Sequence, residues 1–197
     1  MSLILQGAVV PDNFKKKLID FAKNDNSDQW RAFNCSINDK ESQTKLNRGR
    51  KIYRLPDYPE LYNEAVEFGR SVIDQQGLKH DMIAEITDGI PHTLNMLFHS
   101  PGALGIQKHT DPDDDDTGWK HMRWNFLLKE PAEGGEVVIE NKIYNEFTEG
   151  KGMVLFSSKW FHRVLPVPEN EERILLSLGY CVEPEYYRNV LLKRYTL

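Results

Sequence analysis

Apolar residues recur at helical spacing in two early stretches of the chain. In "PDNFKKKLIDFAKN" Phe14, Leu18, Phe21 and Ala22 fall on one face, with Asp12 or Asn13 placed to cap the helix. In "PDYPELYNEAVEFGRSVIDQQG" the same face is formed by Leu61, Ala65, Phe68 and Val72; Asp57 and Pro59 open that helix and Gly77 closes it. Between them the polar "NCSINDKESQTKLNRGRKIYRLPD" reads as loop with one short strand. The opening "MSLILQGAVV" lacks a basic n-region and is broken by Gln6 and Gly7, so it reads as a first strand and not as a signal peptide.

From about residue 90 the period changes to two. Short segments follow one another: "HTLNMLFH", "GIQKHT", "HMRWNFLLK", "GEVVIEN", "GMVLFSS", "HRVLPV" and "RILLSLGYCV", separated by Gly, Pro and Asp. Many short strands at such spacing predict a sandwich or barrel. The expected organisation is one domain over 1–197, mainly β with a helical N-terminal cap (α+β). The cap and its support occupy 1–90, the β core 91–182 and a C-terminal tail 183–197. A helical cap of this kind can cover one face of a sheet and seal its edge.

The chain has 197 residues, a net charge of −5 and two cysteines, Cys35 and Cys181. A chain this long buries a core without disulfides, so the cysteines read as thiols in a reducing compartment, and the expected location is the cytoplasm. The charge speaks against a general nucleic-acid binder. No run approaches the ~18 apolar residues of a membrane span. The oligomeric state leaves no mark in the sequence.

Candidate chemistry starts at "KHTDPDDDD". His109 and Asp111 stand two apart on an extended segment, so both side chains point to one face. His162, in "WFHRV", can supply a third ligand from another strand. Two imidazoles and one carboxylate suit Fe(II) and leave three of six positions open. Arg173 then opens the apolar run Ile174-Leu175-Leu176 after a short return loop. Its rigid fork suits the distal carboxylate of a metal-chelating dicarboxylate, and Ser177, on the same strand face, offers a hydroxyl to that group.

In order, the motifs are Pro101-Gly102, His109-Thr110-Asp111, the apolar strand Asn125 to Leu128, Gly134-Gly135-Glu136, Gly152 to Phe156, His162 to Val167, and Arg173. As an ordered set over residues 92–181 they resemble the 2-oxoglutarate- and Fe(II)-dependent dioxygenases, in particular the prolyl 4-hydroxylase-like branch. The resemblance implies a double-stranded β-helix (a cupin-like jelly roll). It implies His109, Asp111 and His162 as iron ligands and Arg173 on 2-oxoglutarate. It also implies decarboxylation of 2-oxoglutarate to succinate with O2, ascorbate being a supporting reductant. Two positions depart from the branch pattern. His99 stands where a tyrosine usually touches 2-oxoglutarate, so His99 or Asn95 has to supply that hydrogen bond. Arg173 stands where prolyl hydroxylases often use lysine. Asp111 speaks against a halogenase, which needs a small residue there.

Asn125 either contacts the co-substrate or makes a structural hydrogen bond. Trp119 and Trp124 are candidates for the pocket wall. Arg50, within the basic cluster Arg48, Arg50, Lys51 and Arg54, is a candidate clamp on substrate; the alternative is a solvated loop. The acidic run after Asp111 either attracts a cationic substrate or is solvated. His80, His92 and His121 have no spacing that suggests a metal. The expected activity is hydroxylation of an aliphatic C–H in an amino acid or peptidyl residue, prolyl included, of a small-molecule or peptide substrate. A nucleic-acid-modifying dioxygenase and a non-catalytic jelly-roll binding protein are the alternatives.

Overall fold

A computed structural model describes residues 2–25, 49–83, 91, 93–113 and 118–197. Two antiparallel sheets face each other. The larger runs β1 (Ile4–Leu5), β8 (Gly152–Leu155), β5 (Lys120–Lys129), β10 (Arg173–Val182), β3 (Thr93–His99), β2 (Arg50–Arg54), in that spatial order. The smaller runs β4 (Ile106–His109), β9 (His162–Val164), β6 (Val137–Ile139), β7 (Lys142–Ile143). This is a jelly roll.

Strand alternation gives the larger sheet two different faces. On β5 and β10, Trp124, Phe126, Leu176, Leu178 and Tyr180 are buried on the outer face. Helices α1 (Asp12–Asn24) and α2 (Pro59–Gln75) cover that face. Phe68 of α2 meets Phe126 edge-on at 4.7 Å, and Phe21 of α1 meets Tyr53 of β2 at 5.1 Å. Gly69 lets α2 settle closely: a Cβ there would lie 2.6 Å from the Tyr180 hydroxyl. The opposite, inner face of the sheet is left for the smaller sheet and for a cavity between them.

Several local expectations change. Pro11, rather than Asp12 or Asn13, occupies the N-cap of α1, without a side-chain cap bond. The stretch read as a C-terminal tail is helical from Pro184 to Arg194. It buries Tyr187, Leu191 and Tyr195 in the same core as the sheets, since these three lie four apart and share a helical face. Gln76 ties this segment to the rest. Its Nε2 donates to Gln6 O at 2.9 Å, its Oε1 accepts from Tyr195 Oη at 3.1 Å, and its carbonyl accepts from Arg194 at 2.6 Å. Among the described residues no helix is long and apolar enough to cross a membrane.

Candidate metal centre

His109 ends β4 and His162 begins β9, and the two are paired directly across the smaller sheet. Their rings are 4.2 Å apart. Asp111 follows two residues after His109, and its N–H is fixed by Ser157 O at 2.8 Å. One donor atom from each of the three lies within 4.8 Å of the others. The tautomers are also set. His109 Nδ1 sits 2.8 Å from Gln107 O and His162 Nδ1 3.1 Å from Trp160 O, so in the neutral ring each Nδ1 carries the proton and Nε2 is the nitrogen left for a metal.

The electrostatics suit a cation. Burial, with His109 close by, pulls the His162 pKa down to about 4, so its imidazole is neutral at neutral pH. Burial opposes charge on Asp111, but His109, His121 and Arg123 outweigh it and hold the carboxyl well below its ordinary value. Burial also opposes charge on His109, and there Asp111 and the Gln107 carbonyl win, raising its pKa.

A cavity of about 490 Å³ opens from the triad between the sheets. Asn95, Asn125, Arg173 and Ser177 line it together with the three candidate ligands. Arg173 is 1 % exposed, and its Nε and Nη1 have no hydrogen-bond partner among the described residues. Burial brings its pKa down only to about 10, so it remains a cation. The Gly134-Gly135 turn is built around it: Gly135 has φ +69°, and a Cβ there would sit 3.0 Å from Arg173 Cδ. His99 stands opposite Arg173 in the β3–β10 register, and Arg50 stands opposite His99 in the β2–β3 register. Burial, then Arg173 and Arg50, push the His99 pKa well below its ordinary value. Its two ring nitrogens have no partner among the described residues.

Three expectations about substrate contacts do not match the geometry. Trp124 is fully buried on the outer face against Tyr180 at 4.8 Å, because strand alternation that sends Asn125 inward sends Trp124 outward. Trp119 is half-buried before β5 and is not part of the cavity wall. Arg50 is buried opposite His99 and does not line the cavity, whereas Ile52 and Arg54 of that strand do. Ser177 reaches Arg123 Nη1 at 3.3 Å. Of the basic cluster, Arg48 lies outside the described residues, as do Cys35, His92 and most of the acidic run; Lys51 donates to Asp25 O at 2.9 Å.

The sequence reading missed two residues. Arg123 Nε lies 2.6 Å from Asp111 Oδ2, and His121 Nδ1 lies 3.3 Å from the same oxygen and 2.9 Å from Ser157 Oγ. The signal was the parity of β5, which puts His121 and Arg123 on the face of Asn125.

Known structures carry this arrangement of sheets. A prolyl-4-hydroxylase from Pseudomonas putida superposes with TM-score 0.56 at 18% identity, over 90% of this chain and 90% of that one. A Trichoplax adhaerens prolyl hydroxylase, solved in complex with a peptide fragment of the hypoxia inducible factor oxygen degradation domain, gives 0.60 at 18% identity, over 92% of this chain and 84% of that one. A truncated collagen prolyl hydroxylase from Paramecium Bursaria Chlorella virus-1 gives 0.53 at 16%, over 89% and 87%. The fold is that of the prolyl hydroxylases. No family model matches the chain, and no curated protein sequence does. The likeness is therefore one of architecture, and the chemistry rests on the residues themselves.

Proposed function

We propose that this chain is an Fe(II)- and 2-oxoglutarate-dependent dioxygenase. It hydroxylates an aliphatic C–H of an amino acid or peptidyl residue, with prolyl residues the first class to test. The observation that carries this reading is the meeting of two donor sets in one cavity. His109, Asp111 and His162 turn three ligand atoms toward one another, and a buried Arg173, whose Nε and Nη1 have no partner among the described residues, lines the same space. Two imidazoles and a carboxylate are a non-haem Fe(II) set. A buried cation without a partner is costly unless an anion completes it.

When bound, iron with 2-oxoglutarate and O2 supplies the oxidising chemistry, giving succinate, CO2 and hydroxylated substrate. The chain's own residues do the rest. His162 and His109 present lone pairs from Nε2, and Asp111 presents a carboxylate oxygen. Arg173 takes the far carboxylate of the co-substrate, and neutral His99 offers one N–H beside it. Asn95, Asn125 and Ser177 add polar contacts along the wall. Ile106, Val137, Leu155, Val164 and Leu175 make the remaining wall apolar and limit water. A peptide occupant is supported by the open cavity between the sheets and by the peptide bound to the Trichoplax protein of the same fold.

Anaerobic addition of Fe(II) and 2-oxoglutarate should give the weak visible charge-transfer absorption of such a chelate. A succinate-release screen across free amino acids and proline-containing peptides should then find the substrate. No absorption and no succinate, coupled or uncoupled, would leave a jelly-roll binding protein instead.

A further inference from the structure

We infer that Arg123 is a positioning residue for the metal-binding carboxylate: it engages one oxygen of Asp111, so that only the other is free for the ion. The inference rests on the iron-centre reading above and deepens it.

A carboxylate can bind a metal through one oxygen or through two. The difference matters here. Two imidazoles and one carboxylate oxygen leave three of six positions for a chelating co-substrate and O2; a two-oxygen carboxylate leaves only two. Nothing in Asp111 itself makes that choice, because its oxygens are chemically equivalent. The surroundings make it. Oδ2 receives Arg123 Nε at 2.6 Å. Oδ1 is the oxygen on the side of His109, 3.5 Å from Nε2. The oxygen that is held and the oxygen that faces His109 are therefore different atoms.

The guanidinium is itself fixed. It rises from β5, and its Nη1 reaches Thr93 Oγ1 on β3 at 3.4 Å and Ser177 Oγ on β10 at 3.3 Å. Three strands of the larger sheet thus set its plane. His121, two residues back on the same strand face, brings Nδ1 to 3.3 Å from Oδ2. Asp111 is 9% exposed and Arg123 18%, so water does little to dilute the pair. Two of the arginines that line the cavity divide the work. Arg173 keeps Nε and Nη1 without partners among the described residues, which suits an anchor for an incoming carboxylate. Arg123 has both of these groups engaged by the protein, which suits an orienting role.

The test uses the full chain and Co(II) as the probe, read by binding titration and by the visible d–d spectrum, with thermal melts to check folding. Wild type should bind one Co(II), and His162→Ala should lose it. If wild type binds none, or His162→Ala binds equally, the metal centre and this inference fall together. Given that centre, Arg123→Met should weaken Co(II) binding by about 10–100-fold, the usual effect of removing a partner of a metal ligand, and should alter the d–d bands. Arg123→Lys should recover part of the loss, since an ammonium can still reach one oxygen without the fork. Binding and spectrum unchanged in Arg123→Met would overturn the assignment and leave the metal centre standing. So would a lysine variant as weak as the methionine one. Where Arg123→Met does not fold, the lysine variant carries the test, at about 3–10-fold weaker binding with shifted bands; wild-type behaviour would overturn the assignment.

Discussion

Arg173 and His99 stand directly opposite each other on neighbouring strands, both 1 % exposed, one a cation and the other held neutral. Arg173 lines the cavity, and the pair presents N–H groups with no acceptor among the described residues.

Arg173→Met should therefore raise the concentration of 2-oxoglutarate needed to saturate the site by about 10–100-fold, the equivalent of one charge-assisted hydrogen bond of about 1.5–3 kcal/mol. The need for iron should change far less. Parallel titrations of both, followed by the visible absorption of the complex, separate the two. An unchanged 2-oxoglutarate requirement would remove the anchor role.

His99 makes stability depend on pH. Its folded pKa lies below the ordinary value near 6.5, so the unfolded chain binds the proton more readily. Its stabilising share is complete above that value and is lost as pH falls below it, at no more than about 1.4 kcal/mol per pH unit. Urea unfolding at pH 7.5 and 5.5 should show a smaller difference for His99→Gln than for wild type. Equal differences would place the pH response elsewhere, on His162 for example.

His162→Ala should abolish metal-dependent turnover and lower metal affinity sharply while the fold persists, since the imidazole lines the cavity and adds nothing to the apolar core. Equilibrium dialysis against Fe(II) under argon, beside a circular dichroism spectrum, checks both halves of this statement.

Trp124→Ala should cost stability, about 3–5 kcal/mol for a large aromatic lost from a packed core. The protein that remains folded should keep its 2-oxoglutarate requirement, because the indole lies on the outer face. A shifted requirement with little loss of stability would return Trp124 to the pocket wall.

The sequence displayed the metal triad because its spacing carries the geometry. His109 and Asp111 share a face two residues apart, and His162 opens a strand of its own. Arg173 was legible for the same reason, as a lone cation at the head of an apolar run. The Arg123–Asp111 contact was hidden because it joins β5 to the loop after β4, which fixes it only once the sheet register is known. Trp124 was misplaced although its neighbour Asn125 already implied the opposite face: aromatic residues near a loop suggest a pocket wall whichever way they point. The closing helix was read as a tail although Tyr187, Leu191 and Tyr195 repeat every four residues. A glutamine knot around Gln76 and a bulge between Ile174 and Leu175 leave no periodic trace at all.

The two-faced larger sheet has an evolutionary consequence. Residues that touch the cavity alternate with residues that touch the helices, so selection can revise one set while the other stays put. A lineage built on this chain can change what it oxidises by substitutions at every second position, and its melting temperature need not follow.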